Sequence, residues 1–103
     1  MPKKLPCPSP GAMLRDEFLT PMAITPDQLS KDIHVPEAEI LGVLAGTRAI
    51  SAETGLRLDR RFGLAEGWWL RLQADCDLRR AQREQGLRIA AEVKPRASSK
   101  KQK

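Results

Sequence analysis

Little in this chain is equipped for chemistry. It has one histidine, two cysteines and no tyrosine. A lone His34 has no partner with which to activate a nucleophile, and no metal-ligand spacing or glycine-rich phosphate loop occurs. An enzyme, a metal centre and a bound cofactor are therefore not expected. Asp75 and Asp77 stand two apart, which on a helix turns them to different faces, so pairing with Arg71, Arg79 or Arg80 suits them better than shared acid–base work. Cys7 and Cys76 are too few and too isolated for a metal site or a disulfide framework; Cys76 reads as a small buried apolar residue on a helix. No apolar run approaches the ~20 residues of a membrane span, and Met1-Pro-Lys-Lys has no hydrophobic segment behind its charge. The expected place is the cytoplasm, with no membrane partner.

Strand signals are missing as well, and acid is missing from both ends. The 103 residues suit one domain with one modest core. The net charge of +5 suggests nucleic acid until it is located. Seven of the 18 basic residues lie in 1–11 and 94–103, where there is no acid. The other 11 face 13 acidic residues, so 12–93 carries −2. The basicity belongs to the tails, and pI is a poor guide to a DNA-binding face. Residues 1–9 read as a flexible, proline-rich lead, 10–93 as the folded domain, and 94–103 as a disordered basic tail.

What is present is helical periodicity. Ser9-Pro10-Gly11 opens a helix through about Leu19, with Met13, Leu14 and Phe18 on one face and Thr20-Pro21 ending it. Met22 and Ile24 then plug the gap before the next cap. Thr25, Pro26 and Gln28 form a capping box that starts a short helix with Leu29 and Ile33 on one face. His34-Val35-Pro36 makes a turn, and Ile40, Val43 and Leu44 give the stripe of a second short helix that Gly46 stops. Residues 25–46 thus have the format of a helix-turn-helix, though any pair of antiparallel helices in a bundle shares it. A second capping box at Ser51 starts a helix to about Phe62, with Leu56 and Leu58 toward the core and Arg57, Arg60 and Arg61 outside. Gly63 caps it.

The last helix is predicted over 65–85, ending at Gly86. It bears two apolar stripes. Trp69, Leu72 and Cys76 form one. Leu70, Ala74, Leu78 and Ala81 form another, which suggests a symmetric dimer unless the N-terminal segment folds over it. Leu87, Ile89 and Val93 extend that surface. The fold class is all-α with about five helices.

Three blocks carry a family resemblance. SPGAMLRDEFL (9–19) resembles the H-P-G-x-x-L-x-x-x-[FL]-L opening of the HigA, or VapI, antitoxins. GTRAISAETGLRL (46–58) is similar to their G-K-R-x-[IL]-[ST]-x-x-x-A-x-R-L segment. FGLAEGWWLRLQADCDL (62–78) is similar to their [FL]-G-x-[ST]-x-x-[FY]-W-L-x-L-Q-x-x-[YW]-D-L block. The resemblance implies a five-helix Cro/XRE-type repressor domain with a long C-terminal helix. It implies a homodimeric antidote of a type II toxin–antitoxin pair, whose partners are an mRNA-cleaving RelE/HigB-like toxin and an inverted-repeat operator through which it represses its own operon. On the matched positions, Gln28, Glu37, Ala38, Glu39, Leu41, Gly42, Thr47 and Arg48 would face DNA.

The chain departs from the pattern where sequence would be read. No residue from Pro36 to Gly46 is basic, and the expected reading edge holds Glu37, Glu39, Leu41 and Gly42. A carboxylate accepts from the cytosine amino group but is repelled by phosphate. Pro26 replaces a glutamine that grips the backbone, and His34 stands at a turn glycine. A second reading follows: a module that binds the toxin or its own copy, with weak or lost specific DNA binding.

Overall fold

The computed structural model describes residues 9–96, in which five helices and no strand are found. The first helix, α1, runs from 10 to 22 in three registers: α-helical Pro10–Met13, a π-helical Leu14–Leu19, and α-helical Thr20–Met22. Ser9 caps it by accepting from the Ala12 N–H at 3.0 Å, with Pro10 in the first turn. The sequence predicts its end at Thr20-Pro21, but the helix carries on through Pro21. In α geometry a proline ring collides with the carbonyl four residues back. The wide π turn, in which Thr20 N–H donates to the Arg15 carbonyl, shifts that partnering by one residue and lets the chain pass. Ala23 then ends the helix in left-handed geometry at φ 56°, and Ile24 N–H returns to the Leu19 carbonyl at 2.9 Å.

Thr25 accepts from the Gln28 N–H at 3.1 Å and starts α2, Pro26–Ile33. His34 closes it at φ 59°, a left-handed turn that histidine tolerates better than most side chains. After Val35 and Pro36 comes α3, Glu37–Ala45, stopped by Gly46 at φ 81°. Ser51 caps α4, Ala52–Phe62, through the Thr54 N–H, and Gly63 ends it at φ 70°. The last helix, α5, is Trp68–Glu92. It starts three residues later than predicted, because Gly67 at φ 94° turns the chain first, and runs past Gly86. Gly86 does not adopt a left-handed angle, so it costs some helix propensity without supplying a stop.

Core residues come from all five helices and the α3–α4 loop: Leu14, Leu29, Ile40, Ile50, Leu58 and Trp69 are buried, Trp69 with 0 % of its surface exposed. Phe18 lies against Phe62, Trp68 and Trp69, ring centroids 4.6, 5.9 and 5.2 Å away. Gly11 is needed where α1 crosses α3: a Cβ there would sit 2.2 Å from the Val43 carbonyl oxygen. Leu56, expected near the core, is 46 % exposed, because Leu58 and Gly55 occupy the inward side of α4. Met22 is exposed, and Ile24 alone packs at that connector. Cys76 is buried as expected, but its sulfur is not a free thiol. The molecule measures 54 × 26 × 26 Å, the length coming from α5. No helix among the described residues is long and apolar enough to cross a membrane. The expectations for 1–8 and 97–103 lie outside the described residues.

Candidate nucleic-acid interface

The helix-turn-helix is fixed by polar locks as much as by its apolar seam. Inside the turn, the Ser30 hydroxyl donates to the Val35 carbonyl at 2.6 Å. From α4, Arg57 donates to the Ile33 carbonyl at 2.9 Å while its other edge meets Glu53 at 2.9 and 3.1 Å. The last carbonyls of α2 would otherwise be orphaned, so an arginine there both satisfies one and complements the helix C-terminus. Asp32 accepts from Gln28 at 2.9 Å and from Arg61 at 3.2 Å. The Gln28 hydrogen bond, followed by the hydrogen bond and charge of Arg61, outweighs desolvation and holds the Asp32 carboxyl below its ordinary range.

Against this frame the expected DNA-facing residues divide. Glu37 and Ala38, in the first turn of α3, are exposed, and Leu41 one turn on is 47 % exposed. Together they form an open edge on α3. Gln28 lies in the first turn of α2, with its side-chain amide spent on Asp32. Glu39 does not share the edge. Its carboxylate is 16 % exposed, accepts a short hydrogen bond from the Thr54 hydroxyl, and lies 3.8 Å from Arg48 Nη2. The reason is angular: two residues past Glu37, it points toward α4 rather than outward. Gly42 lies beneath the Arg48 side chain, and the Thr47 N–H and hydroxyl both donate to the Gly42 carbonyl, at 2.9 and 3.3 Å.

The second apolar stripe also divides. Leu70 is half-buried at the edge of the core, where a Cβ on Gly55 would come within 3.2 Å of its Cγ. Ala74 and Ala81 are exposed and Leu78 is 56 % exposed. Leu70 thus packs within its own chain, and the open part of the stripe begins at Ala74.

Two further residues position the elements around the motif. Asp59 is buried on α4 and accepts from the Gly67 N–H at 2.8 Å and the Trp69 N–H at 3.2 Å, orienting the start of α5. Gln73 clamps the α3–α4 loop, accepting from the Ile50 N–H at 2.6 Å and donating to the Ile50 carbonyl at 2.9 Å. Gln73 is flagged by the W-L-x-L-Q block; nothing local separates Asp59 from a solvated acid.

No family model matches the chain. Virulence-associated protein I of Dichelobacter nodosus is 37 % identical over 81 residues, 79 % of this chain and 75 % of that protein. Among solved structures, a HigA-family addiction-module antidote protein from Coxiella burnetii matches with a TM-score of 0.80 and 33 % identity, covering 88 % of this chain and 99 % of that one. The Pseudomonas aeruginosa antitoxin HigA, solved with the higBA promoter, also gives 0.80, at 32 % identity over 86 % of this chain and 97 % of that one. The two solved relatives are an antidote protein and an antitoxin, not enzymes. With the α2–α3 motif, the Trp-Leu-x-Leu-Gln start of α5 and these likenesses together, the chain belongs to the HigA/VapI family of helix-turn-helix antitoxins.

Proposed function

We propose that the protein is a DNA-binding antitoxin of the cytoplasm that neutralises an mRNA-cleaving RelE/HigB-like toxin and, as a homodimer, represses its own operon. The observation that carries the DNA half is the open edge of α3, Glu37, Ala38 and Leu41, which follows a turn that Ser30 and Arg57 lock. In this arrangement α3 enters the major groove with its first turn at base edges, while the α2 N-terminus and the Thr47–Arg48 loop meet phosphates. Leu41 suits a thymine methyl and Glu37 a cytosine amino group. Two such helices set about one DNA turn apart, roughly 34 Å, require an inverted repeat. The P. aeruginosa relative, solved with promoter DNA, supports the assignment. The exposed stripe from Ala74 through Leu78 to Ala81 is the proposed contact between protomers.

One observation favours the second reading, a toxin-binding or self-associating module with weak operator affinity. The open edge carries acid and leucine and no base, which suits a protein surface as well as a duplex. A gel shift with the operon's upstream DNA, run across salt and against random competitor, separates the two. Operator binding gives a steep salt dependence and a preference for the upstream sequence that survives competitor. Binding without preference, lost when residues after Lys94 are removed, leaves only the second reading.

A further inference from the structure

Gly42 is an odd residue for the middle of α3, where it costs about 1 kcal/mol against alanine. Its surroundings give it a purpose. A Cβ on Gly42 would stand 3.0 Å from Arg48 Cβ and 3.3 Å from Arg48 Cδ, with Thr47 Oγ1 at 3.7 Å. The arginine stem therefore lies directly across the bare backbone of α3. A side chain at 42 would collide with the base of that stem, not with a flexible tip. Beyond the glycine, Arg48 Nη2 is 3.8 Å from Glu39, and Glu39 is itself tethered to α4 by the Thr54 hydroxyl. Thr47 fixes the other side of the loop with its two hydrogen bonds to the Gly42 carbonyl. The Arg48 side chain remains 55 % exposed.

We propose that Gly42 and Glu39 are positioning residues that seat Arg48 on the surface of α3, so that a reading helix with no basic residue of its own carries a borrowed cation to the DNA backbone. The proposal rests on the DNA-binding reading above and adds to it the origin of the missing positive charge. Glu37 and Glu39 make the helix acidic, and no base lies between Pro36 and Gly46. A guanidinium held beside Glu39 by a stem packed on the helix offers a preorganised fork to a phosphate, whereas a mobile loop arginine would lose more entropy on contact. Gly42 makes the seat and Glu39 draws the head into it.

The test uses the full chain, its operator duplex, and four variants: Gly42→Ala, Arg48→Ala, the double variant and Glu39→Gln. Arg48→Ala is expected to weaken operator and random DNA alike by about tenfold and to lower the salt slope by about 0.9 for each phosphate lost. Gly42→Ala is expected to shift affinity and slope toward those of Arg48→Ala, and to cost clearly less once Arg48 is alanine, when the Cδ contact is gone and only the Cβ contact remains. In the free protein, 15N relaxation of the Arg48 Nε–H should report an ordered side chain that becomes mobile in Gly42→Ala and in Glu39→Gln. The Glu39→Gln variant keeps an acceptor for Thr54, so its relaxation reads the seat even if Gly42→Ala folds poorly. Equal losses from Gly42→Ala with and without Arg48, or an Arg48 Nε–H as mobile in wild type as in both variants, overturn the proposal. A wild-type chain that binds no duplex overturns the DNA-binding reading and the use assigned to Arg48. Operator binding with an unchanged slope in Gly42→Ala overturns this inference only.

Discussion

The two halves of α5 are one unbroken helix held by different forces. From Trp68 to Cys76 it is part of the core: Trp69 and Cys76 are buried, Gln73 clamps Ile50, and Asp59 holds the first turn. From Asp77 to Glu92 no residue is buried, while Leu78 is 56 % and Leu87 92 % exposed, with Ile89 and Val93 open beside them. What stabilises the second half locally is pairing along the helix surface, Arg80 with Asp77 at 2.9 Å and Arg79 back across the boundary with Asp75 at 3.1 Å. Such half-exposed pairs contribute only a few tenths of a kcal/mol each. Helix order that local terms barely sustain, next to uncovered leucine and isoleucine, calls for a covering surface. The first half builds the domain, and the second carries most of the proposed protomer contact.

The largest expected break falls in the first half. Trp69→Ala should cost about 3–5 kcal/mol, read by chemical denaturation, because the side chain is wholly buried and anchors the Phe18–Phe62–Trp68 cluster. Next comes Asp59→Ala, which leaves two N–H groups at the start of α5 without their acceptor; a loss of about 2 kcal/mol is expected in the same assay. In the second half, Leu78→Ser should leave unfolding of the dilute protein within about 0.5 kcal/mol of wild type. The same change should make sedimentation shift toward monomer if Leu78 lies at a protomer contact. A large loss of monomer stability would show instead that Leu78 packs within its own chain.

The smallest effect is expected at Asp32, which couples α2 to α4. Its carboxyl is held low by Gln28 and Arg61, so the stability it adds is present above the ordinary carboxylate pKa and fades as pH falls through the lower folded value. Asp32→Asn should therefore lower the melting temperature slightly at pH 7 and not at all in strong acid. An equal deficit at both pH values would contradict the assigned cause.

The helix-turn-helix was the most legible part of the sequence, because its signals are local: the Thr25 cap, the Pro36 break, the Gly46 stop and a 3-and-4 apolar spacing each act within a few residues. The end of α1 was not legible, since a π turn that admits Pro21 depends on packing along the whole helix. Gly86 misled for a related reason. A glycine ends a helix only where the backbone turns left-handed, and nothing at Gly86 turns it. At the candidate interface, helical spacing placed Leu41 outside correctly. It could not show that Glu39 swings toward Thr54, because that partner is supplied by another helix fifteen residues on. Helical spacing put Leu70 on a shared stripe with Leu78, while the approach of Gly55 draws it inward.

The most direct test of the central claim is a hydroxyl-radical footprint of the operon's upstream DNA with the full-length chain. Operator binding through paired α3 helices predicts two protected patches on an inverted repeat, about 10 base pairs apart from centre to centre, both lost when Leu41→Asp is used in place of the wild type. Uniform protection, a single unpaired patch, or a footprint indifferent to Leu41→Asp would contradict the placement of α3 in the groove.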